Sequence, residues 1–100
     1  MLYDSDMEVG PAVTYRRNPV VVFQHVDDRV MMMNPERAEF VTVSPTGAQV
    51  WDALEAPGTA EDIMQRLLPK WPGVDPEQML KDIDAFLVKL EEAGAVFIEK

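Results

Sequence analysis

The sequence contains no cysteine, only one histidine and no long apolar run. Without cysteine there is no disulfide framework, thiol nucleophile or thiolate metal site, and a reducing cytosol is the expected compartment. The longest apolar runs are strand-sized, well short of the ~20 residues that cross a bilayer, so we expect no membrane-spanning helix. The first ten residues carry acids and no base, so a secretory signal is not expected either.

Basic residues are also scarce. Nine Lys and Arg against eighteen Asp and Glu give a formal net charge of −9 and an isoelectric point near 4.4. Nucleic acids and anionic membranes are both bound through basic surfaces, so neither is expected as a partner. The charge favours a neutral or cationic partner.

Groups that could perform catalysis are few. His25, the only histidine, falls within a predicted strand, and the neighbouring acids Asp27 and Asp28 lie in a predicted turn. The five glycines are isolated and fit no phosphate-binding fingerprint. The Asp-x-Asp-x-Asp-Gly loop of calcium sites is missing as well. We therefore expect no catalytic residue, no metal site and no cofactor, and interpret the chain as a binding protein.

The 100 residues, 47% of them hydrophobic, predict one small domain. Residues 1–19 are expected to form an N-terminal arm, since Gly10, Pro11 and Pro19 interrupt any regular element there. A partly ordered terminus and an oligomer or partner contact are both open interpretations of this arm. The domain itself is placed at residues 20–98.

Three strands followed by three helices are predicted in this domain. Segments 20–26, 29–33 and 38–43 are apolar or β-branched and are separated by short polar turns, which is typical of an antiparallel meander. The first two are apolar on both faces, so the arm or another copy of the protein is expected to cover the outer face. Residues that favour helix starts then recur, and a short edge strand follows Gly94; the helix starts are Ser44, Thr59 and Asp75. The predicted class is α+β with a winged helix-turn-helix-like arrangement.

The third strand is a candidate binding site because it would lie at the edge of the meander. Unpaired backbone groups on such an edge accept a further strand, which is how many proteins capture extended peptides. The long third helix has a second, mildly apolar face with Lys81, Ala85 and Val88. This face is either plain solvated surface or one wall of a shallow groove beside the sheet. The second interpretation predicts a peptide-binding module.

The order of these motifs resembles that of the PqqD-like family over residues 20–97. The family comprises RiPP recognition elements, which bind the leader segment of a ribosomally synthesised precursor peptide and present it to a modifying enzyme. The member that names the family serves pyrroloquinoline quinone biosynthesis, and relatives serve lasso peptides. The segments that carry the resemblance are Phe23–Asp28, Val30–Met33, Val43–Trp51, Thr59–Ile63, and Asp82–Leu90 followed by Gly94-Ala95-Val96.

The resemblance implies a site and a set of partners. A leader peptide would add as a strand to the third strand and lie against the third helix. A radical-SAM protein or a cyclase/protease would receive the peptide, and homodimerisation is compatible with the apolar sheet. The implied binding residues are Glu39, Phe40, Val41, Thr42 and Val43 on the strand, with Lys81, Ala85 and Val88 on the helix.

A winged-helix DNA-binding regulator is the alternative function. Its recognition surface would come from the second and third helices. Residues 59–93, however, hold four bases against eight acids, and DNA recognition needs a basic stripe. The charge therefore favours the peptide.

Overall fold

The computed structural model describes residues 13–99. In chain order the elements are β1 (Thr14–Arg17), β2 (Val22–Val26), β3 (Arg29–Asn34), β4 (Glu39–Val43), α1 (Pro45–Ala53), α2 (Ala60–Leu67), a short 3-10 turn (Leu68–Lys70), α3 (Pro76–Glu92) and β5 (Val96–Glu99). β2, β3 and β4 form one antiparallel sheet in that order, while β1 pairs antiparallel with β5 in a second, two-stranded sheet. The predicted α+β class, with a three-stranded antiparallel sheet followed by three helices, is confirmed.

Two tight turns set the register of the three-stranded sheet. The two-residue turn Asp27–Asp28 joins β2 to β3, and its first residue adopts a positive φ of 58°, as primed hairpin turns require. Val26 is consequently paired with Arg29. The turn between β3 and β4 closes on the pair Asn34 and Glu39. Both hairpins therefore keep alternate side chains of β3 on the core face.

The three helices begin where the sequence predicts. Ser44, Thr59 and Asp75 have extended backbone, and each accepts a hydrogen bond from a backbone N–H of the first turn. At α2 the Asp62 side chain also accepts from the Thr59 backbone N–H at 3.0 Å, which completes a capping box. These bonds to Thr59 hold the pKa of Asp62 below its usual value. Local side-chain bonding thus fixes the helix boundaries.

The core lies between the inner face of the three-stranded sheet and the helices. α1 packs against β3 and β4, while α3 packs against α2 and β5. Trp51, in the last turn of α1, is fully buried. Burying large side chains such as these supplies most of the favourable free energy of folding. The largest buried side chains are Trp51, Leu54, Ile63, Leu67, Met79, Ile83, Leu87, Leu90, Val30 and Val96.

Part of the segment assigned to the arm belongs to the folded unit. Thr14–Arg17 form β1, and Tyr15 is buried and exchanges backbone hydrogen bonds with Gly58. Asn18, which follows β1 and is also buried, donates from its side-chain amide to the Gly94 carbonyl at 2.9 Å. The fold therefore includes Thr14–Arg17, ahead of the boundary placed at residue 20. The remainder of the arm, residues 1–12, lies outside the described residues.

The outer face of the three-stranded sheet is apolar and open. Phe40 is 72% exposed and Val22 is 61% exposed; Met31 on the central strand is exposed as well. The sequence predicts a second layer over this face. Within residues 13–99 nothing forms that layer, because all three helices lie on the other face.

Arg66 on α2 holds the segment that follows α1. Its guanidinium donates to the carbonyl oxygens of Ala53 and Ala56 at 2.8 Å and of Pro57 at 3.0 Å. Arg66→Met removes all three bonds, so the free energy of unfolding is expected to fall by about 1–2 kcal/mol. Urea unfolding followed by circular dichroism measures this change.

Arg29→Met is the matched control for that variant. Arg29 is exposed, and within residues 13–99 it makes no side-chain hydrogen bond or ion pair. Its replacement should change stability by no more than about 0.5 kcal/mol. Equal losses from the two variants would show that Arg66 does not brace the loop.

Candidate functional site

The candidate site starts from β4 as an edge strand. In the sheet order β2-β3-β4, only β3 has partners on both sides. β4 is paired along Glu39–Val43 with β3. Its other side has no strand partner in the part of the chain that the structure describes. Such a side presents backbone donors and acceptors that another chain can use.

The hairpin geometry shows which residues of β4 offer those groups. In an antiparallel ladder, hydrogen-bonded and non-bonded pairs alternate along each strand. The β2–β3 turn closes on a hydrogen-bonded pair that includes Arg29, so the next residue, Val30, turns its backbone groups toward β4. Its partner there is Val43. Counting back from Val43 by alternation, Phe40 and Thr42 direct their N–H and C=O groups to the free edge.

α3 runs beside this edge in the opposite direction to β4. Before β4 begins, Arg37 donates to the carbonyl of Glu92 near the end of α3 at 2.6 Å. Where β4 ends, a Cβ on Gly47 would lie 2.8 Å from Phe86 Cζ and 3.2 Å from Val43 Cβ. α3 packs on α2 and β5 rather than directly on β4. The space between the strand and the helix is here called the β4–α3 groove.

A cavity lies at the end of the β4–α3 groove, between the start of α1, the loop before α3, and α3 itself. Its volume is about 320 Å³, near the lower limit of the roughly 300–1,000 Å³ typical of ligand pockets. The indole N–H of Trp71 donates to Gln49, which fixes one wall. Most of the lining is apolar: Val50, Trp71, Val74, Met79, Ile83 and Phe86.

The residues that the sequence predicts for binding fall into two groups. Glu39–Val43 lie together as β4, with Val41 half-buried on the inner face and Phe40 on the outer face. Lys81, Ala85 and Val88 are exposed on α3. By helical periodicity they lie on the side opposite the buried stripe, and none of them lines the cavity.

The lining of the cavity includes residues that the sequence analysis did not select as binding residues. These residues include Trp71, Asp82 and Phe86. Asp82 and Phe86 are one turn apart, on the flank of α3 next to α1. A run of apolar residues with one acid a turn away is the only sequence signal for them, and it is common in amphipathic helices.

Two carboxylates of α3, those of Asp82 and Asp84, lie in different surroundings. Asp82, the only charged residue among residues 13–99 that lines the cavity, accepts a hydrogen bond from Gln78 Nε2 at 3.0 Å. Asp84 lies on the other side of the helix, near β1. Burial raises the pKa of the Tyr15 hydroxyl, and the nearby carboxylates of Asp84 and Glu91 raise it further. Of the described carboxylates of α3, only Asp82 lines the cavity.

A separate cluster braces β1 and β2 on α1, at the side of the sheet away from β4. The Arg17 guanidinium lies 4.9 Å from the ring centre of Phe23 and 4.6 Å from that of Trp51, and it donates to the Trp51 carbonyl at 2.6 Å. Burial lowers the pKa of Arg17, and the charge of Asp52 opposes that shift. His25 pairs with the same carboxylate at 2.8 Å on the surface. The pair with Asp52 gives His25, the only histidine of the sequence, a structural role.

The described residues bring no metal-ligating side chains together in a group of three or more. None of the helices between residues 13 and 99 has the length and apolar character needed to span a bilayer.

Comparisons with known proteins agree with this architecture. The sequence profile of coenzyme PQQ synthesis protein D (PqqD) matches residues 29–96, which contain β3, β4, the three helices and the start of β5. TbiB1 in complex with the TbiA(beta) leader peptide superposes with a TM-score of 0.72 at 21% identity, covering 81% of this chain and 93% of that chain. Lasso peptide synthetase B1 complexed with the leader peptide gives 0.67 at 20%, covering 83% and 96%. No curated protein matches. Because the profile covers more than half of the sequence, the chain belongs to the PqqD family.

Proposed function

We propose that this protein is a RiPP recognition element that binds the leader segment of a precursor peptide as an added strand on β4. The observation that carries the proposal is the free edge of β4 beside the β4–α3 groove. Phe40 and Thr42 each offer one donor and one acceptor there. Membership of the PqqD family supports a leader peptide as the ligand, and the two similar structures each hold a leader peptide. Nothing in the structure or the comparisons favours DNA.

The groove adds side-chain contacts to these backbone bonds. Side chains of an added strand alternate between the two faces of the sheet. Those on the inner face would lie beside Val41 and Val43 and point toward α3 and the cavity. In strand addition, backbone bonds supply affinity and such pockets supply sequence specificity.

Calorimetric titration with the leader segment encoded by a short reading frame next to this gene tests the proposal. The backbone bonds contribute roughly 1 kcal/mol each and cavity filling adds more, so a Kd of about 1–10 μM or tighter is expected. With the folded protein and each candidate leader at about 100 μM, a titration without measurable heat at two temperatures would contradict the proposal.

The proposed role is presentation rather than catalysis. The bound leader would be handed to a modifying enzyme, such as a radical-SAM protein or a cyclase/protease, in the cytosol. The open outer face of the sheet, with Val22, Met31 and Phe40 exposed, is available to that enzyme or to a second copy in a homodimer. Light scattering distinguishes a monomer of 11.3 kDa from a dimer.

A further inference from the structure

We infer that the β4–α3 groove selects peptides in which a bulky apolar residue is followed or preceded, two positions away, by lysine or arginine. This inference rests on the proposed function and concerns the same site. The apolar residue would fill the cavity, and the basic residue would pair with Asp82. The expected ligand is therefore an extended peptide with an apolar-x-basic motif.

The first part of the motif follows from the lining of the cavity. Six apolar side chains line it, among them Trp71, Ile83 and Phe86. Its volume of about 320 Å³ is large enough for one bulky apolar side chain. Gly47 maintains the close approach of α1 to Phe86, because any Cβ there would lie within 3 Å of the ring.

The second part follows from charge and spacing. Asp82 is the only charged side chain in the lining among the residues that the structure describes, and it is exposed to solvent. Residues two apart on one face of a strand are about 6.6–6.8 Å apart, close to the rise of about 6 Å between Asp82 and Phe86 along α3. Phe86 lies near Val43 at the end of β4, so an inner-face side chain of the added strand would meet Phe86 there. The inner-face side chain two positions farther along, past the end of β4, would meet Asp82.

The net charge of the whole protein also favours basic peptides. A net charge of −9 attracts cationic peptides at long range and speeds their encounter. Long-range attraction alone does not depend on where the basic residue lies in the peptide. A fixed apolar-x-basic spacing therefore separates pairing with Asp82 from attraction by the whole protein.

The test uses a phage-displayed library of random peptides of about twelve residues, selected on the intact protein. Enriched peptides should share the motif, and synthetic versions should bind Asp82→Asn about threefold to fivefold more weakly, as for an exposed ion pair. Asp84→Asn, on the β1 side of the same helix, is the matched control and should change affinity less than twofold. A peptide with its basic residue replaced by Glu should regain affinity for Asp82→Lys.

The outcomes distinguish the inferred apolar-x-basic motif from the proposed strand addition on β4. Peptides that need the β4 edge but lack the motif, or that respond equally to Asp82→Asn and Asp84→Asn, would overturn this inference and leave leader binding in place. If no selected peptide loses affinity when Thr42 is replaced by proline, strand addition on β4 fails and both claims fall. The motif together with charge-swap recovery at Asp82 supports both.

Discussion

Replacing Thr42 by proline is expected to weaken leader-peptide binding by about a hundredfold, equivalent to about 2.7 kcal/mol, while the protein stays folded. The Thr42 N–H points to the free edge of β4, so proline removes a donor that only the added strand would use. Its ring would also occupy the space of the incoming backbone. An edge strand tolerates proline at such a position. Calorimetry with the leader peptide, together with a thermal melt, measures both effects.

Two other proline variants make this test specific. Val41→Pro removes an N–H that faces β3 and should destabilise the fold by about 3 kcal/mol or more. His25→Pro places proline on the opposite edge strand, β2, where alternation also turns the N–H outward. It removes the exposed pair with Asp52 and the edge-to-face contact with the Phe23 ring. Leader affinity should survive His25→Pro. Equal loss of binding from His25→Pro and Thr42→Pro would show that the peptide does not use β4.

Gly94→Ala is expected to lower the free energy of unfolding by about 2–4 kcal/mol. Gly94 follows α3 with a φ of +78°, where an L side chain is strained. A Cβ would also lie 2.7 Å from Asn34 Nδ2. The Gly94 carbonyl accepts from Asn34 at 3.1 Å and from Asn18 at 2.9 Å. Moving Gly94 would therefore leave two buried amides without their partner.

Gly73→Ala isolates the backbone contribution. Gly73 has a similar φ of +84°, but a Cβ there meets no atom within 4 Å. The expected loss is about 1–2 kcal/mol from left-handed backbone alone. Chemical unfolding of the two variants in parallel measures the difference. If Gly73→Ala is as destabilising as Gly94→Ala, the buried asparagine bonds contribute nothing measurable.

The sequence predicts the local elements of this fold well because their signals are local. Ser44, Thr59 and Asp75 each sit within three residues of the N–H groups that they cap. β1 could not be predicted in the same way. Its partner, β5, lies about 80 residues later in the chain, with Thr14 opposite Glu99. Only the completed core brings the two strands together.

The sequence likewise predicts one part of the candidate site and not the other. The sequence identifies β4 as an edge because the last strand of a meander has a partner on one side only. It does not identify the wall of the groove. The periodicity of α3 separates a buried stripe from an exposed one, but it does not say on which flank β4 lies. The position of Phe86 against Gly47 decides this, and that contact depends on how α1 and α3 pack.

The pairing of β1 with β5 has a consequence for protein architecture. Because Thr14 lies opposite Glu99, the polypeptide enters and leaves the fold at neighbouring points. β5 packs against α3, and Tyr15 of β1 lies near the Asp84 side of that helix, so both points lie on the flank away from β4. Segments attached before β1 or after β5 can therefore extend without crossing the groove. The fold is suited to fusion with an enzyme, or to insertion into one of its surface loops, with the groove still accessible.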